Sequence, residues 1–449
     1  MLIGYFFTGK VFFRISIIAT TYNRHARGMI SRRNRINFGT VLFTAAWFWI
    51  CLQDNNHPIQ RRTYLMRRKN TLKLVLTLAS AQLLIVTGAF AADLTPKEEL
   101  GKALFFDQNL SVNSNQSCAT CHAPEVGWTG PDEAINLHGT VYEGSIPGAF
   151  GDRKPPAAAY AGDSPILYYN AKMGAWVGGM FWDGRATGWT LGDPLAEQAK
   201  GPFLNPKEQA IPDAATLVAK VKASIYSGDF ATQCPGTDTA ELYNCIGRAI
   251  AAYERSSEVS PFTSKYDYWL QGKAKLTAQE HLGRALFQGK AKCSACHIMK
   301  GKQPLFTDFT YDNLGIPKNP DNPVYIVNPS FIDPGLGGFL KSLYPDKENV
   351  YTVEMGKHKV PTLRNVDLRP SVDFVKAYGH NGYFKSLEEI VDFYNTRDVP
   401  GAGWNGEPWP APEMEANMNT AEIGNLGLSA REEAAVVAFM KILSDGYQP

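Results

Sequence analysis

The sequence predicts a mostly α-helical protein of two related domains joined by long, irregular loops. Three observations carry that expectation. The phrase Leu94-Thr95-Pro96-Lys97-Glu98-Glu99-Leu100-Gly101-Lys102-Ala103-Leu104-Phe105 returns 182 positions later as Leu276-Thr277-Ala278-Gln279-Glu280-His281-Leu282-Gly283-Arg284-Ala285-Leu286-Phe287. Each copy leads into a Cys-x-x-Cys-His pentapeptide, Cys118 to His122 and Cys293 to His297. Each half then closes on apolar residues at helical spacing, as expected of an internal repeat.

Taken in order, the chain begins with a basic stretch. Residues 1–91 hold 13 of the 45 Lys and Arg but only one acid, Asp54, which leaves 32 basic against 42 acidic residues in the remainder. An acidic body argues against a nucleic-acid partner and favours a basic protein partner. Met66-Arg67-Arg68-Lys69 reads as the charged start of an export signal, Leu72 to Val86 as its apolar centre and Ala89-Phe90-Ala91 as its cleavage site. The mature chain is thus expected to begin near Ala92. Residues 1–65 read as an upstream extension, either spurious or anchoring; the apolar run Val41 to Leu52 is short for a membrane span.

The mature part opens on a helix capped by Thr95, with Pro96 in its first turn and Glu98 completing a capping box. The first half is expected to close with a helix over Glu241 to Ser256. The second half closes with one that starts at a Ser429/Glu432 capping box and runs through Val436, Phe439 and Met440. The two domains are placed at 92–258 and 259–449. Stretches rich in Gly and Pro at 123–166, 300–350 and 398–427 are read as loops. Cys234 and Cys245, close in sequence across a Pro-Gly turn, are candidates for a disulfide in an oxidising compartment.

The pentapeptides carry the chemistry. Two thiols at this spacing can add across the two vinyl groups of one porphyrin, and the adjacent His then stands under the iron. A zinc site or a redox dithiol would explain a single copy. Two copies in an exported chain point to two covalent c-type haems, held by Cys118, Cys121 and His122 and by Cys293, Cys296 and His297. The domains are therefore expected to be cytochrome c-like, with the loops wrapping the porphyrins.

Further motifs lie between and after the pentapeptides: Met180-Phe181-Trp182-Asp183-Gly184-Arg185, Gln198-Ala199-Lys200-Gly201-Pro202, Asn205-Pro206-Lys207-Glu208 and Val360-Pro361-Thr362-Leu363-Arg364-Asn365. In this order they resemble the bacterial dihaem cytochrome c peroxidase/MauG family across residues 92–449. The resemblance implies that the N-terminal haem meets peroxide and the C-terminal haem relays electrons, with Trp182 between them. It maps Gln198, Pro202 and Glu208 onto the distal pocket, with Glu208 as acid/base for cleaving the O–O bond. Residues Gly188 to Pro194 look like a short insertion.

Where family peroxidases place a distal His on the N-terminal haem, this chain has Ile146; His138 lies further upstream, so the position is read as open or served by His138. Family spacing, 17 residues after the Pro of a T-A-P-Y phrase that aligns with Val375-Lys376-Ala377-Tyr378, puts Tyr394 opposite His297. The family uses Met or Tyr there; Met299, Met355, Met414, Met418 and Met440 are the alternatives in this chain. The family's interdomain calcium site has an Asn where this chain has Lys154, so a calcium ion is left open.

The leading expectation is a periplasmic peroxidase that reduces hydrogen peroxide with electrons from a small cytochrome c or a cupredoxin. A MauG-like enzyme oxidising a protein substrate and a passive dihaem electron carrier are the alternatives, and a homodimer is left open.

Overall fold

The computed structural model describes residues 93–449. The expected extension and export signal lie outside that range. Among the described residues, no helix is long and apolar enough to cross a membrane.

The helices that position the sites are α1 (Pro96–Phe106), α2 (Pro194–Leu204), α3 (Thr239–Arg255), α4 (Lys265–Leu270), α5 (Ala278–Gln288), α6 (Leu387–Thr396) and α7 (Ala430–Lys441). Strand structure is sparse: three two-stranded antiparallel pairs among the described residues. One of them joins β1 (Tyr168–Asn170) to β2 (Ala175–Val177), with Tyr169 opposite Trp176. The protein is helix-rich, with long loops between the helices.

Caps fix the helix starts. Thr95 and Glu98, Thr277 and Glu280, and Ser429 and Glu432 each form a capping box, so the first orphaned N–H groups of α1, α5 and α7 have partners. The closing helix α3 starts slightly earlier than the sequence suggests, because Asp238 caps it by accepting from the Glu241 N–H.

The repeated Gly explains the repeated phrase. A Cβ on Gly101 of α1 would lie 2.0 Å from the Ala249 carbonyl oxygen of α3, and a Cβ on Gly283 of α5 would lie 1.8 Å from the Ala435 carbonyl oxygen of α7. Each opening helix therefore crosses its closing helix backbone to backbone, at a distance no side chain permits. Leu100, Leu104 and Phe105 then pack on Ile246, Ala249, Ile250 and Tyr253 in one core, while Leu286 and Phe287 pack on Ala435, Val436 and Phe439 in another. Cys234 and Cys245 are bonded, tying the helix Ser227–Gln233 to α3.

A buried ion pair pins the loop that carries the second set of motifs. The Arg364 guanidinium, 1% exposed, donates to both oxygens of Asp267 on α4 (2.6 and 2.9 Å) and to the Pro304 carbonyl (2.8 Å). Its carbon also lies over the rings of Tyr160, Phe262 and Phe306. Removing one partner strands the other charge away from water. Asp267→Ala is therefore expected to destabilise the fold by about 3–5 kcal/mol, read from denaturant unfolding. A loss under about 1 kcal/mol, the worth of an exposed pair, would show that water reaches Arg364.

Candidate active site: two cavities and the wall between them

The first pentapeptide forms a short helix, Cys118–Cys121, with His122 at its C-terminal end. All three functional side chains line one cavity, together with Gln198 and Pro202 of α2, Glu208 beyond it, and Ile250 and Glu254 of α3. The second pentapeptide lines a larger cavity with Tyr394 of α6 and Val436 and Met440 of α7. Motifs far apart in sequence are thus brought together in pairs.

Both histidines are held alike. His122 Nδ1 lies 3.2 Å from the Trp128 carbonyl oxygen, and His297 Nδ1 lies 2.8 Å from that of Phe306. A carbonyl only accepts, so Nδ1 carries the proton and Nε2 keeps a lone pair. That is the tautomer a metal-ligating His needs, with the outer nitrogen tethered to orient the ring. Trp128 and Phe306 both adopt positive φ (62° and 54°), a conformation uncommon for bulky side chains and repeated at the two sites. Burial holds His122 down to about 4, against partial support from the Trp128 and Pro156 carbonyls, and it lowers His297 as well. Both rings are therefore neutral near pH 7. Burial also pushes the Cys121, Cys293 and Cys296 thiols up to about 12 and Cys118 higher still. Paired thiols and one tethered neutral His per cavity are the donor set of a c-type haem.

The N-terminal cavity holds two buried carboxyls. Glu208 follows α2 in a turn whose N–H groups return to Asn205 and Pro202, and Asn205 Nδ2 donates to its Oε2 at 2.6 Å. Burial raises its pKa, and the Asn205 hydrogen bond opposes that only in part. The second carboxyl, Glu254, is one that sequence reasoning missed. It is 4% exposed, its Oε2 has no hydrogen-bond partner, and burial pushes its pKa up to about 8. The repeat offered a signal for it, since Glu254 in Ala-Tyr-Glu-Arg of α3 stands where Met440 stands in Ala-Phe-Met-Lys of α7. A carboxyl raised from 4.5 to about 8 keeps its proton in the fold and releases it on unfolding. Its contribution is full below pH 4.5 and is lost as pH rises through 8. Melting temperature is expected to fall over that window in the wild type and to fall less in Glu254→Gln. Parallel pH curves for the two proteins would rule this out.

The segment between Trp182 and α2 is tied down by hydrogen bonds. The Glu197 carboxylate of α2 accepts from the N–H groups of Gly188, Thr190 and Leu191 (2.6 to 2.8 Å), and Asp193 caps the helix. Gln198 and Pro202 of that helix line the N-terminal cavity.

A thin wall separates the cavities. Pro156 and Ala157 line both of them, Phe181 lines the N-terminal one and its neighbour Trp182 lines the C-terminal one. Trp182 donates from Nε1 to the Lys154 carbonyl oxygen at 2.8 Å and stands edge-on to His380 at 6.5 Å between ring centres. His380 in turn stacks on His358 at 3.6 Å. His358 Nε2 lies 3.2 Å from Asp333 Oδ2, and His380 Nε2 lies 3.7 Å from Glu413 Oε2. The sequence does not announce this pairing, because Asp333 and Glu413 come from unrelated loops.

The C-terminal cavity contains Tyr394, whose phenol burial pushes well above its ordinary pKa; the nearby thiols of Cys296 and Cys293 add to the shift. Met414 and Met440 line the same cavity, whereas Met299, Met355 and Met418 do not. His138 is not among the residues lining the N-terminal cavity; it is exposed and 3.3 Å from Asp321. Ile146 is also exposed.

Comparisons with known proteins agree with this architecture. Residues 95–275 match the family model for di-haem cytochrome c peroxidase. The methylamine utilization protein MauG of Paracoccus denitrificans is 34% identical over 83% of this chain and 96% of its own length. Cytochrome c551 peroxidase of Nitrosomonas europaea is 32% identical over 66% of this chain and 71% of its own. Among solved structures, the diheme peroxidase BthA of Burkholderia thailandensis superposes with a TM-score of 0.67 at 31% identity, covering 79% of this chain and 87% of that one. The chain belongs to the di-haem cytochrome c peroxidase/MauG family, and is a peroxidase-type oxidoreductase.

Proposed function

We propose that this is an exported enzyme with two covalent c-type haems that reduces hydrogen peroxide to water, drawing electrons from a small cytochrome c or a cupredoxin. The observation that carries the reading is the placement of Glu208, buried with Gln198 and Pro202 in the cavity that also holds His122 and both thiols of the first pentapeptide. Haem bound there supplies an iron able to take up peroxide oxygen and electrons.

The chain's own residues do the rest. Each peroxide consumed takes up two electrons and two protons. Glu208, with its raised pKa, is suited to accept a proton from one peroxide oxygen and return it to the other. Asn205 holds the carboxyl at Oε2, so the proton is handled at Oε1. Pro202 and Gln198 line the same cavity as His122 and Glu208 and would bound the space open to peroxide. Trp182 fills the wall between the cavities as the bridge for electrons. A passive carrier has no use for a buried acid in one of its pockets.

The test is steady-state peroxide reduction with a reduced small cytochrome or cupredoxin as donor. Multiple turnovers with matching donor oxidation are expected. Peroxide that oxidises the protein once, without catalytic use of the donor, would sink the peroxidase reading.

Tyr394 supports a second reading, an enzyme that oxidises a protein substrate in the manner of MauG. An anionic oxygen ligand favours the oxidised states of iron over ferrous. Tyr394 and His297 line the same cavity and would both hold the iron of its haem; the oxidised protein is then expected to lack a methionine-to-iron charge-transfer band in the near infrared, with Tyr394→Phe changing the spectrum of that haem alone. A methionine band that survives the substitution would transfer the role to Met414 or Met440.

A further inference from the structure

The junction between the cavities contains two buried cationic groups whose hydrogen bonds go to backbone carbonyls alone. Lys376 is 3% exposed, and its Nζ donates to the carbonyl oxygens of Asn365 (2.7 Å) and Leu368 (3.1 Å). Lys154 is 8% exposed, and its Nζ donates to its neighbour's carbonyl, Pro155 (3.1 Å). Both side chains line the cavity that holds Cys293, Cys296 and His297, and Lys154 lies two residues before the Pro156-Ala157 wall. Among the described residues, neither Nζ has a carboxylate partner.

This arrangement does not fit a calcium ion. Calcium takes six to eight oxygen ligands, from carboxylates, backbone or amide carbonyls and water, and an ammonium group supplies none. Here the position of the family's Asn ligand is a lysine. The Val375 carbonyl, in the phrase that would supply backbone oxygens, already accepts from Asn136 Nδ2 at 3.3 Å. A second lysine, Lys376, stands in the same phrase. A divalent cation would meet two buried amines there.

We propose that Lys154 and Lys376 are a built-in substitute for that ion: a pair of buried ammonium groups that bind the propionate carboxylates of haem at the junction, so that the protein works without calcium. The proposal rests on the reading of the cavities as haem sites. Burial lowers Lys154 to about 8, and burial together with the charges of Lys154 and Arg369 lowers Lys376 well below its ordinary range, with Asp367 opposing only in part. Carboxylates arriving from the cavity side relieve both effects and keep the amines protonated. The backbone carbonyls on Lys376 orient its Nζ but bring no net charge, which leaves the anion to come from the ligand.

The test uses the haem-loaded protein. Haem content is measured first by intact mass and pyridine haemochrome, so that failure of the haem reading shows separately. Metal analysis is then expected to find no stoichiometric calcium, and neither EGTA nor added calcium should move the melting temperature or the haem midpoint potentials. Lys376→Met and, separately, Lys154→Gln are expected to lower the midpoint potential of at least one haem, because loss of a nearby cation favours the ferric state; a purely structural role would lower only the melting temperature. One calcium per chain whose removal by EGTA shifts potential or melting would overturn the proposal. So would unchanged potentials in both variants. Should either variant fail to fold, the calcium measurements on the wild type still decide.

Discussion

Glu208→Gln is expected to slow peroxide reduction by roughly 10²–10⁴-fold, the usual loss when a single acid/base is removed. The substitution keeps the shape and the Asn205 contact, which Gln can satisfy through its amide oxygen, and removes the ability to take and return a proton. Stability should hold or rise slightly, since an ionisable group in an apolar pocket is replaced by a neutral one. The ordinary haem spectra should be unchanged. Stopped-flow mixing with peroxide separates the two possible roles: the first bond-breaking step slows if Glu208 moves the proton, whereas a positioning role alone would raise the peroxide concentration needed without changing the limiting rate. Wild-type kinetics in this variant would return Glu208 to being a buried residue without a catalytic task, and Glu254 would be the next carboxyl to test.

The second large effect concerns attachment. Intact wild-type protein is expected to exceed its polypeptide mass by two haems, and acid-acetone should extract neither. Cys118→Ser with Cys121→Ser should remove one haem and leave the other, with peroxide turnover abolished and the C-terminal spectrum retained. The paired change Cys293→Ser with Cys296→Ser should leave a protein that meets peroxide but cannot sustain turnover from an external donor. Two thioether bonds per haem would also staple loops to short helical turns, so each double variant is expected to melt earlier as well. Haem released from the wild type by acid-acetone would contradict this directly.

Much of the architecture was legible because it is written in local rules. The three capping boxes, at Thr95, Thr277 and Ser429, could be read from spacing alone, and so could the closing helices from their apolar periodicity. The repeated Gly could be seen but not explained until the backbone carbonyls of Ala249 and Ala435 were found against it. Glu208, Gln198 and Pro202 were reached through a motif, and the structure gathers them in one cavity. What stayed hidden depends on contacts between distant loops. Nothing in the sequence near His358 announces Asp333, and nothing near His380 announces Glu413. Glu254 looked like one more charged residue at a helix end, because helical spacing tells which face a residue takes but not that a cavity lies beneath it. The burial of Lys376 is equally invisible in sequence, and only the carbonyls of Asn365 and Leu368 show that its amine points inward.

The shared wall at Pro156 and Ala157 has a consequence for how such a protein can change over generations. A residue that borders a single chamber can drift, and natural selection sees one altered property at a time. Any bulkier side chain at Ala157 intrudes on two chambers together, so a change that improves one centre is judged at once by its effect on the other. That segment is pleiotropic by construction. Variation that retunes one centre alone is therefore expected to collect at Phe181, Gln198 or Ile250 on one side and at Ile390, Val391 or Met414 on the other, leaving the two residues between them nearly fixed.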